Sequence, residues 1–452
     1  IREGRWEAVG ATEVEGDTQM PCGESLLRGL LMGQQGFIEL QGAPSRVLWM
    51  PDTFGFTGCL PQLLRQTGVE AFFTAKLAWS VLEPFPYSSF RWRGVDGTEV
   101  LAHVLQGVGY TSRATPSELR HAAREYRQSD VHDEILVPTG YGDGGGGPTS
   151  AMCERARRLR DLAGTPHASW GSIDGFFAGL KRVRKRLPVW RGELYLQYHR
   201  GVLTTHTDLK LLHRAVERAL QTWEAAHCLA RSGAIEAEPW RRLLFAQFHD
   251  YLSGSSVREV YARGLPELRA LARRAREQSM AALRAHGSKL NRCVFNPLPL
   301  PRVERIGRRL YEVPPLCVRA LDQLKHLNEP PLSATPTALR SDRVSVQLDA
   351  MGRVKNLAVD GKALALRNPL CELLLYPDQP HAFDAWEIDR AALTRPRPFM
   401  APAKGRATLV RAEATVVFTH RLSASSTLLL RYRLRPRQPV LEVECEVDWH
   451  EH

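Results

Sequence analysis

The sequence predicts a mixed fold, α/β in its first part and all-β in its last, with a helical stretch between. Three observations carry this. Before about residue 188, short apolar runs alternate with helix-like segments. Beyond about residue 204 the apolar residues recur at helical spacing, and after about 291 apolar and polar residues alternate around glycine-containing turns. Strands alternating with helices imply a mainly parallel sheet covered by helices. Three successive helical segments imply a small bundle. Alternation implies antiparallel β-structure, as in a sandwich. The expected domains are a parallel-sheet α/β domain over 1–188, incomplete at its N-terminus, a three-helix bundle over 189–290, and an antiparallel β-sandwich over 291–452 that opens a larger β region.

In the first domain "SRVLWM", "VEAFFTA", "EVLAHVL" and "EILVPTG" read as strands, and their near-continuous apolar character fits burial on both faces. "LPQLLRQTG", ending at Gly68, and "SELRHAAREYRQ" read as the helices between them. In the bundle, Leu209, Leu212, Ala215, Val216 and Leu220 mark the first helix, and "EPWRRLLFAQFHDYLSG" reads as a second that stops near Gly254. Ser256 stands three residues before Glu259, a capping-box pattern, ahead of the long Ala- and Arg-rich "LPELRALARRAREQSMAALRAHG". In the last domain "VSVQLDAMGRVKNLAVDGKALAL" and the run from "ATVVFTH" to "LEVECEVDW" read as antiparallel strands.

Bulk properties exclude several classes. A chain of 452 residues implies two or three domains, and 43% apolar with 24% charged residues is the composition of a soluble globular protein. No apolar run is long enough to cross a bilayer, and "IREGRWEAVG" does not resemble a signal peptide, so no membrane partner is expected. The eight cysteines stand singly, without a CxxC pair, which argues against a zinc knuckle or a disulfide framework and for a reducing, cytoplasmic setting. The net charge of +12 raises nucleic-acid binding. However, arginine is spread along the whole chain, and the densest cluster, "KRVRKRLP", has no interleaved aromatics. It reads as a solvated segment end, and no nucleic-acid partner is expected.

In parallel α/β sheets, ligands bind beyond the carboxyl ends of the strands. Asp52 stands at such an end in "VLWMPDTFGF", as does Asp143 in "EILVPTGYGDGGGGPT", a loop too glycine-rich to serve packing. It is no phosphate loop, since the Lys-Ser/Thr that closes a Walker motif is missing. Two strand-end carboxylates suggest a nucleophile and an acid/base, as in retaining glycoside hydrolysis. His249-Asp250, at the end of a predicted amphipathic helix flanked by Phe245 and Phe248, is the third feature.

"WMPDTFGFTGCLPQLL", "GYGDGGGGPT", "GELYLQYHRGVLTTHTDLK" and "LLFAQFHDYLSGSS" resemble, in that order, the motifs of glycoside hydrolase family 38 α-mannosidases. The likeness is nearest to the cytosolic neutral branch and its bacterial relatives. "EVEGDTQMPCGES" (13–25), "FNPLPLPR" and "EVDWHE" extend it over essentially the whole chain. The resemblance implies a metal-dependent retaining α-mannosidase that trims terminal mannose from oligomannose glycans, with zinc, or else cobalt, as its cofactor. It casts Asp52 as the nucleophile and a metal ligand, His249 as a second ligand, and Asp250 as an acid that hydrogen-bonds sugar hydroxyls. Phe54 becomes an aromatic wall, Lys76 a basic residue near the sugar, and His199 a residue of the sugar platform.

Two departures stand out. Golgi-type relatives carry two adjacent acids in the glycine-rich loop and use the second; here that place is Gly144, which leaves Asp143 as the candidate acid/base. The family's remaining two ligands come from an early His-x-Asp motif, which this sequence lacks ahead of Asp52; "HTD" at 206–208 sits inside another motif and is read as a decoy. Both chain ends read as cuts within a longer protein. The alternative expectation is a non-catalytic carbohydrate-binding or assembly protein that kept the fold. Homo-oligomer formation stays open.

Overall fold

The computed structural model describes residues 1–80, 82–231, 233, 235–287, 292–410 and 412–451. By contacts the chain divides into two compact units. The first holds Ile1–Gln221, Ile235–Glu277 and Pro380–Ile388; the second holds Thr222–Ala234, Gln278–Gln379 and Asp389–His452.

In the first unit β1 (Val47–Trp49), β2 (Ala71–Thr74), β3 (Ser89–Arg93), β4 (Glu99–Val104) and β5 (Val189–Arg191) form one sheet, ordered β1-β2-β4-β3-β5. β1, β2 and β4 run parallel, as does the β3–β5 pair, while β3 meets β4 antiparallel. All four residues of β2 are buried, and Leu48, Phe72, Phe90, Trp92 and Ala102 form the centre of the core. The parallel strands thus end together, which is what gathers the side chains described below.

"EILVPTG" is not a strand. Residues 134–138 carry no ladder, and only Thr139 bridges to Ser112. Two causes are visible: both edges of β4 are already occupied by β2 and β3, and Pro138 has no N–H to donate. Ile135, Leu136 and Val137 still pack on the core beside Phe176 and Leu180, so the apolar pattern reported burial rather than pairing.

Helices surround the sheet: α1 (Gly23–Gln41), α2 (Leu60–Gln66), α3 (Pro116–Glu125), α4 (Ser150–Arg158) and α5 (Ile173–Arg182). α1, absent from the sequence reading, ends at Gly42, whose φ of 77° is the left-handed cap that glycine favours. Its Gly33 lies against the chain before β1. A Cβ there would sit 2.4 Å from the Thr12 carbonyl carbon and 2.5 Å from the Ala11 oxygen. These are backbone atoms that cannot swing aside, so Gly33→Ala is expected to cost about 1–3 kcal/mol of stability. Urea unfolding measures it, with Gly36→Ala, which meets open space, as the control.

The helical stretch comprises α6 (Thr207–Ala230), α7 (Glu238–Phe245), α8 (His249–Leu252) and α9 (Arg258–Gly287). The predicted second helix is broken. Phe248 takes φ −48°, ψ 138°, and His249 starts a new turn instead of ending the old one. The break has a nonlocal cause. Asp17 N–H donates to the Gln247 carbonyl, Phe248 bridges Gly16, and His249 N–H donates to the Glu15 carbonyl, so residues 247–249 exchange helical bonds for pairing with 15–17. "SVREVYARG" and the following segment merge into α9, with Pro266 inside it. Ser256 does not form the predicted box; its hydroxyl donates to the Asp250 carbonyl. α6 is tied to the start of α1 by the buried Glu217, which accepts from Cys22 N–H (2.7 Å) and the Ser25 hydroxyl (2.8 Å) and pairs with Arg214 (2.6 Å).

The second unit is β-rich. β6 (Cys293–Asn296) pairs with β9 (Cys317–Ala320), and β7 (Arg302–Ile306), β8 (Arg309–Val313) and β10 (Lys325–Leu327) form a three-stranded sheet. β11 (Ser333–Thr335), β12 (Ala338–Arg340), β13 (Val344–Leu348), β14 (Val354–Val359) and β15 (Lys362–Ala363) form a five-stranded antiparallel sheet. β16 (Leu374–Leu375) pairs with β17 (Arg397–Pro398). β18 (Arg406–Val410), β19 (Glu413–Arg421), β20 (Thr427–Leu434) and β21 (Glu442–Asp448) form a four-stranded antiparallel sheet. Val344, Val346 and Val354 of one sheet share a core with Val416, Phe418, Leu430 and Tyr432 of the other, the two-layer packing that alternation predicts.

Candidate active site

Three parallel strands end side by side, and each delivers a polar side chain. Asp52 follows β1, Lys76 follows β2, and Tyr110 lies in the loop after β4. Met50 N–H donates to the Phe73 carbonyl and Ala75 N–H to the Pro51 carbonyl, so the turn carrying Asp52 is laced to β2 as it leaves the sheet.

Asp52 is held on both oxygens. Lys76 Nζ lies 2.5 Å from Oδ1, and His249 Nε2 lies 3.3 Å from Oδ2. Burial pushes the Asp52 carboxyl up, but the His249 and Lys76 contacts outweigh it and hold the group at about 2. It is therefore an ionised carboxylate at neutral pH, turned inward with 17% of its side chain exposed. Burial pulls the His249 imidazole down, while Asp52 and Glu15 more than compensate and raise it. His249 Nδ1 lies 3.0 Å from the Glu15 carbonyl, which can only accept, so Nδ1 carries a proton and Nε2 faces the carboxylate. A bare Nε2 opposite a carboxylate oxygen sets two lone pairs against each other, and only a proton or a cation between them relieves that.

The Lys76 ammonium, 3% exposed, sits among aromatic rings: 4.1 Å from the Trp79 centroid, 4.9 Å from Phe54 and 5.4 Å from Trp386. His199 stacks on Trp386 at 4.5 Å and tilts against Phe54 at 4.5 Å. Burial, then the Lys76 charge, hold the His199 imidazole down at about 3, so it is neutral. Neither of its ring nitrogens, nor Trp386 Nε1, has a hydrogen-bond partner among the described residues. Asp250 stands beside the cluster, 3.8 Å from His249 Nε2 and 46% exposed.

Asp143 reaches the site through Tyr110, whose hydroxyl donates to Asp143 Oδ1 at 2.6 Å. Burial, that bond and the nearby Asp52 carboxylate all push the Tyr110 hydroxyl up. One phenol thus feels both carboxylates. The structure brings together Asp52, Lys76, Phe54, His199 and His249, with Asp250 adjacent and Asp143 one side chain away. His206 and Asp208 lie elsewhere: His206 stacks over Tyr261 at 4.5 Å and faces Asp208 at 3.6 Å.

These side chains belong to a recognisable chain. Residues 1–193 match the model for the glycosyl hydrolases family 38 N-terminal domain, residues 197–285 that for the alpha mannosidase middle domain, and residues 339–452 that for the family 38 C-terminal domain. The chain belongs to glycoside hydrolase family 38. This family 38 chain is 29% identical to alpha-mannosidase 2C1 of Homo sapiens, over 99% of its own length and 46% of that protein's. It is 37% identical to an alpha-mannosidase of Saccharomyces cerevisiae, over 58% of its own length and 26% of that protein's. It therefore spans about half, or less, of the curated relatives it matches. Its fold is similar to that of an alpha-mannosidase from Enterococcus faecalis V583, with a TM-score of 0.72 at 14% identity over 97% of this chain and 65% of that one.

The sequence reading missed Glu15, Tyr110, Trp79 and Trp386. Tyr110 was findable, because it follows a strand end by the rule that found Asp52. Trp386 carries no local signal; the segment Pro380–Ile388 joins the first unit across a long stretch of the second unit's sequence.

A metal is implied by the family. Asp52 and His249 are donors of the kind zinc takes, yet among the described residues no group of three or more His, Cys, Asp or Glu side chains is placed to hold an ion. The residues fit zinc in kind and fall short of it in number. No described helix is long and apolar enough to cross a membrane.

Proposed function

We propose that the protein is a retaining α-mannosidase acting on terminal α-linked mannose of oligomannose glycans, with zinc, or cobalt, as its metal. The observation that carries the reading is the ionised Asp52 carboxylate at the end of β1, held by Lys76 and His249 inside an aromatic enclosure. In the first step a carboxylate oxygen of Asp52 attacks the anomeric carbon. The glycosidic C–O bond breaks, and the leaving oxygen takes a proton from Asp143. In the second step the Asp143 carboxylate takes a proton from water, whose oxygen attacks the same carbon and releases Asp52. Two inversions leave the anomer unchanged.

Phe54 and His199 would wall the sugar, Asp250 would accept from its hydroxyls, and of the two unpartnered His199 nitrogens the bare one could accept from a hydroxyl while the N–H donates to another. The Lys76 ammonium balances the nucleophile's charge before attack. Zinc or cobalt, when bound with Asp52 and His249 as ligands, would orient the carboxylate and adjacent sugar hydroxyls. With two donors among the described residues instead of the usual four, a dialysed chain is expected to retain well under one zinc per molecule by atomic absorption. A full equivalent would reveal further donors. The cytoplasm is the proposed compartment, supported by eight free thiols.

Proton NMR of 4-nitrophenyl α-mannoside hydrolysis tests the mechanism: α-mannose is expected to appear first, and β-mannose first would overturn it. The shortage of donors favours a second reading, a carbohydrate-binding protein without turnover. Binding of methyl α-mannoside with no hydrolysis of the aryl glycoside would support that instead.

A further inference from the structure

We infer that Glu15 is the positioning residue that aligns Asp52 with His249, an inference that rests on the reading of Asp52 as nucleophile. Asp52 leaves the sheet directly behind Pro51, and its own N–H has no strand partner. That N–H donates instead to Glu15 Oε1 at 2.6 Å, and the Thr53 hydroxyl lies 3.5 Å from the same oxygen. On its other side, the Glu15 carbonyl accepts from His249 N–H at 3.1 Å and from His249 Nδ1 at 3.0 Å. One residue therefore holds the nucleophile's backbone through its side chain and the imidazole through its main chain.

The neighbours extend the arrangement. Gly16 bridges Phe248, and Asp17 N–H donates to the Gln247 carbonyl at 2.7 Å. A Cβ on Gly16 would stand 3.2 Å from the Gln247 oxygen, so the two backbones pack closely there. Glu15 thus sits in a short backbone clamp that fixes the start of α8 and reaches across it to the turn after β1. The clamp's backbone half survives any substitution at 15. The side-chain half does not, and without it the part-buried Asp52 N–H is left without an acceptor, which permits the turn to shift. A misplacement on the order of 1 Å costs about 100-fold in rate.

The role needs an acceptor oxygen of the right reach, which glutamine retains and alanine lacks. Glu15→Ala and Glu15→Gln are compared with the parent chain by amide hydrogen exchange and by kinetics on 4-nitrophenyl α-mannoside. In Glu15→Ala the Asp52 amide is expected to exchange about 10-fold faster or more, with Leu48 and Phe72 of the sheet unchanged, since losing one hydrogen bond is worth about a factor of ten. In the same variant kcat is expected to fall about 100-fold with KM little changed, and Glu15→Gln to recover most of both signals. Parent-like Asp52 exchange in Glu15→Ala, or equal losses in Ala and Gln, overturns the inference. Should Glu15→Ala fail to fold, Glu15→Gln decides alone: loss of Asp52 protection there rules out the acceptor role. Asp52→Asn, measured alongside, separates the two ideas, because its turnover tests the nucleophile and its His249 amide exchange, expected to stay protected, tests the clamp.

Discussion

Asp52→Asn is expected to lower turnover of an aryl α-mannoside by at least about 10³-fold, while the protein stays folded. The carboxamide cannot form the glycosyl ester, so the loss falls on kcat. Its shape does suit the site. The amide oxygen can accept from Lys76 Nζ, and the amide nitrogen can donate to His249 Nε2, whose other nitrogen is committed to the Glu15 carbonyl. Asp52→Ala is different. It strands the Lys76 ammonium, 3% exposed, without its counter-ion and is expected to cost about 3 kcal/mol or more of stability as well as the activity. Steady-state rates and thermal melts of the two variants separate the chemical role from the electrostatic one. Unchanged turnover in the asparagine variant would remove Asp52 from the nucleophile role.

Asp143→Ala should divide substrates by leaving group. Poor leaving groups, such as another sugar, need the leaving oxygen protonated as the bond breaks, and their kcat/KM is expected to fall about 10²–10⁴-fold. A 2,4-dinitrophenyl glycoside departs as a stable anion and should lose little in its first step. A plot of log kcat/KM against leaving-group pKa would steepen in the variant. Equal losses across the series would exclude Asp143 as the acid. Tyr110→Phe should produce a smaller effect of the same shape, since the Tyr110 hydroxyl binds Asp143 Oδ1.

Much of this site is legible in the sequence. A carboxylate directly behind an apolar strand is costly unless it is used or paired, and that pattern singled out Asp52. The partners that hold it were another matter. Lys76 came only through the family resemblance, and His249, marked by its place beside Asp250 at a predicted helix end, took its role from there too, since neither "FFTAK" nor "QFHDY" carries the spacing of a metal or catalytic motif. The strand reading succeeded for β1, β2 and β4 and failed for "EILVPTG", where the apolar residues are buried but both sides of β4 are already taken by β2 and β3. The helix ending in His249-Asp250 failed for a related reason. Local periodicity favours a continuous helix, and pairing with residues 15–17 breaks it.

The order of layers, the parallel strand ends and the place of Asp52 behind one of them were legible in the sequence alone, because apolar period and strand-end placement are local properties of the chain. Tertiary structure alone decided that Lys76 and His249 take opposite oxygens of Asp52, that Tyr110 joins it to Asp143, and that Trp386 closes the aromatic wall. Each of those depends on contacts between residues far apart in the chain, and no short-range pattern encodes them.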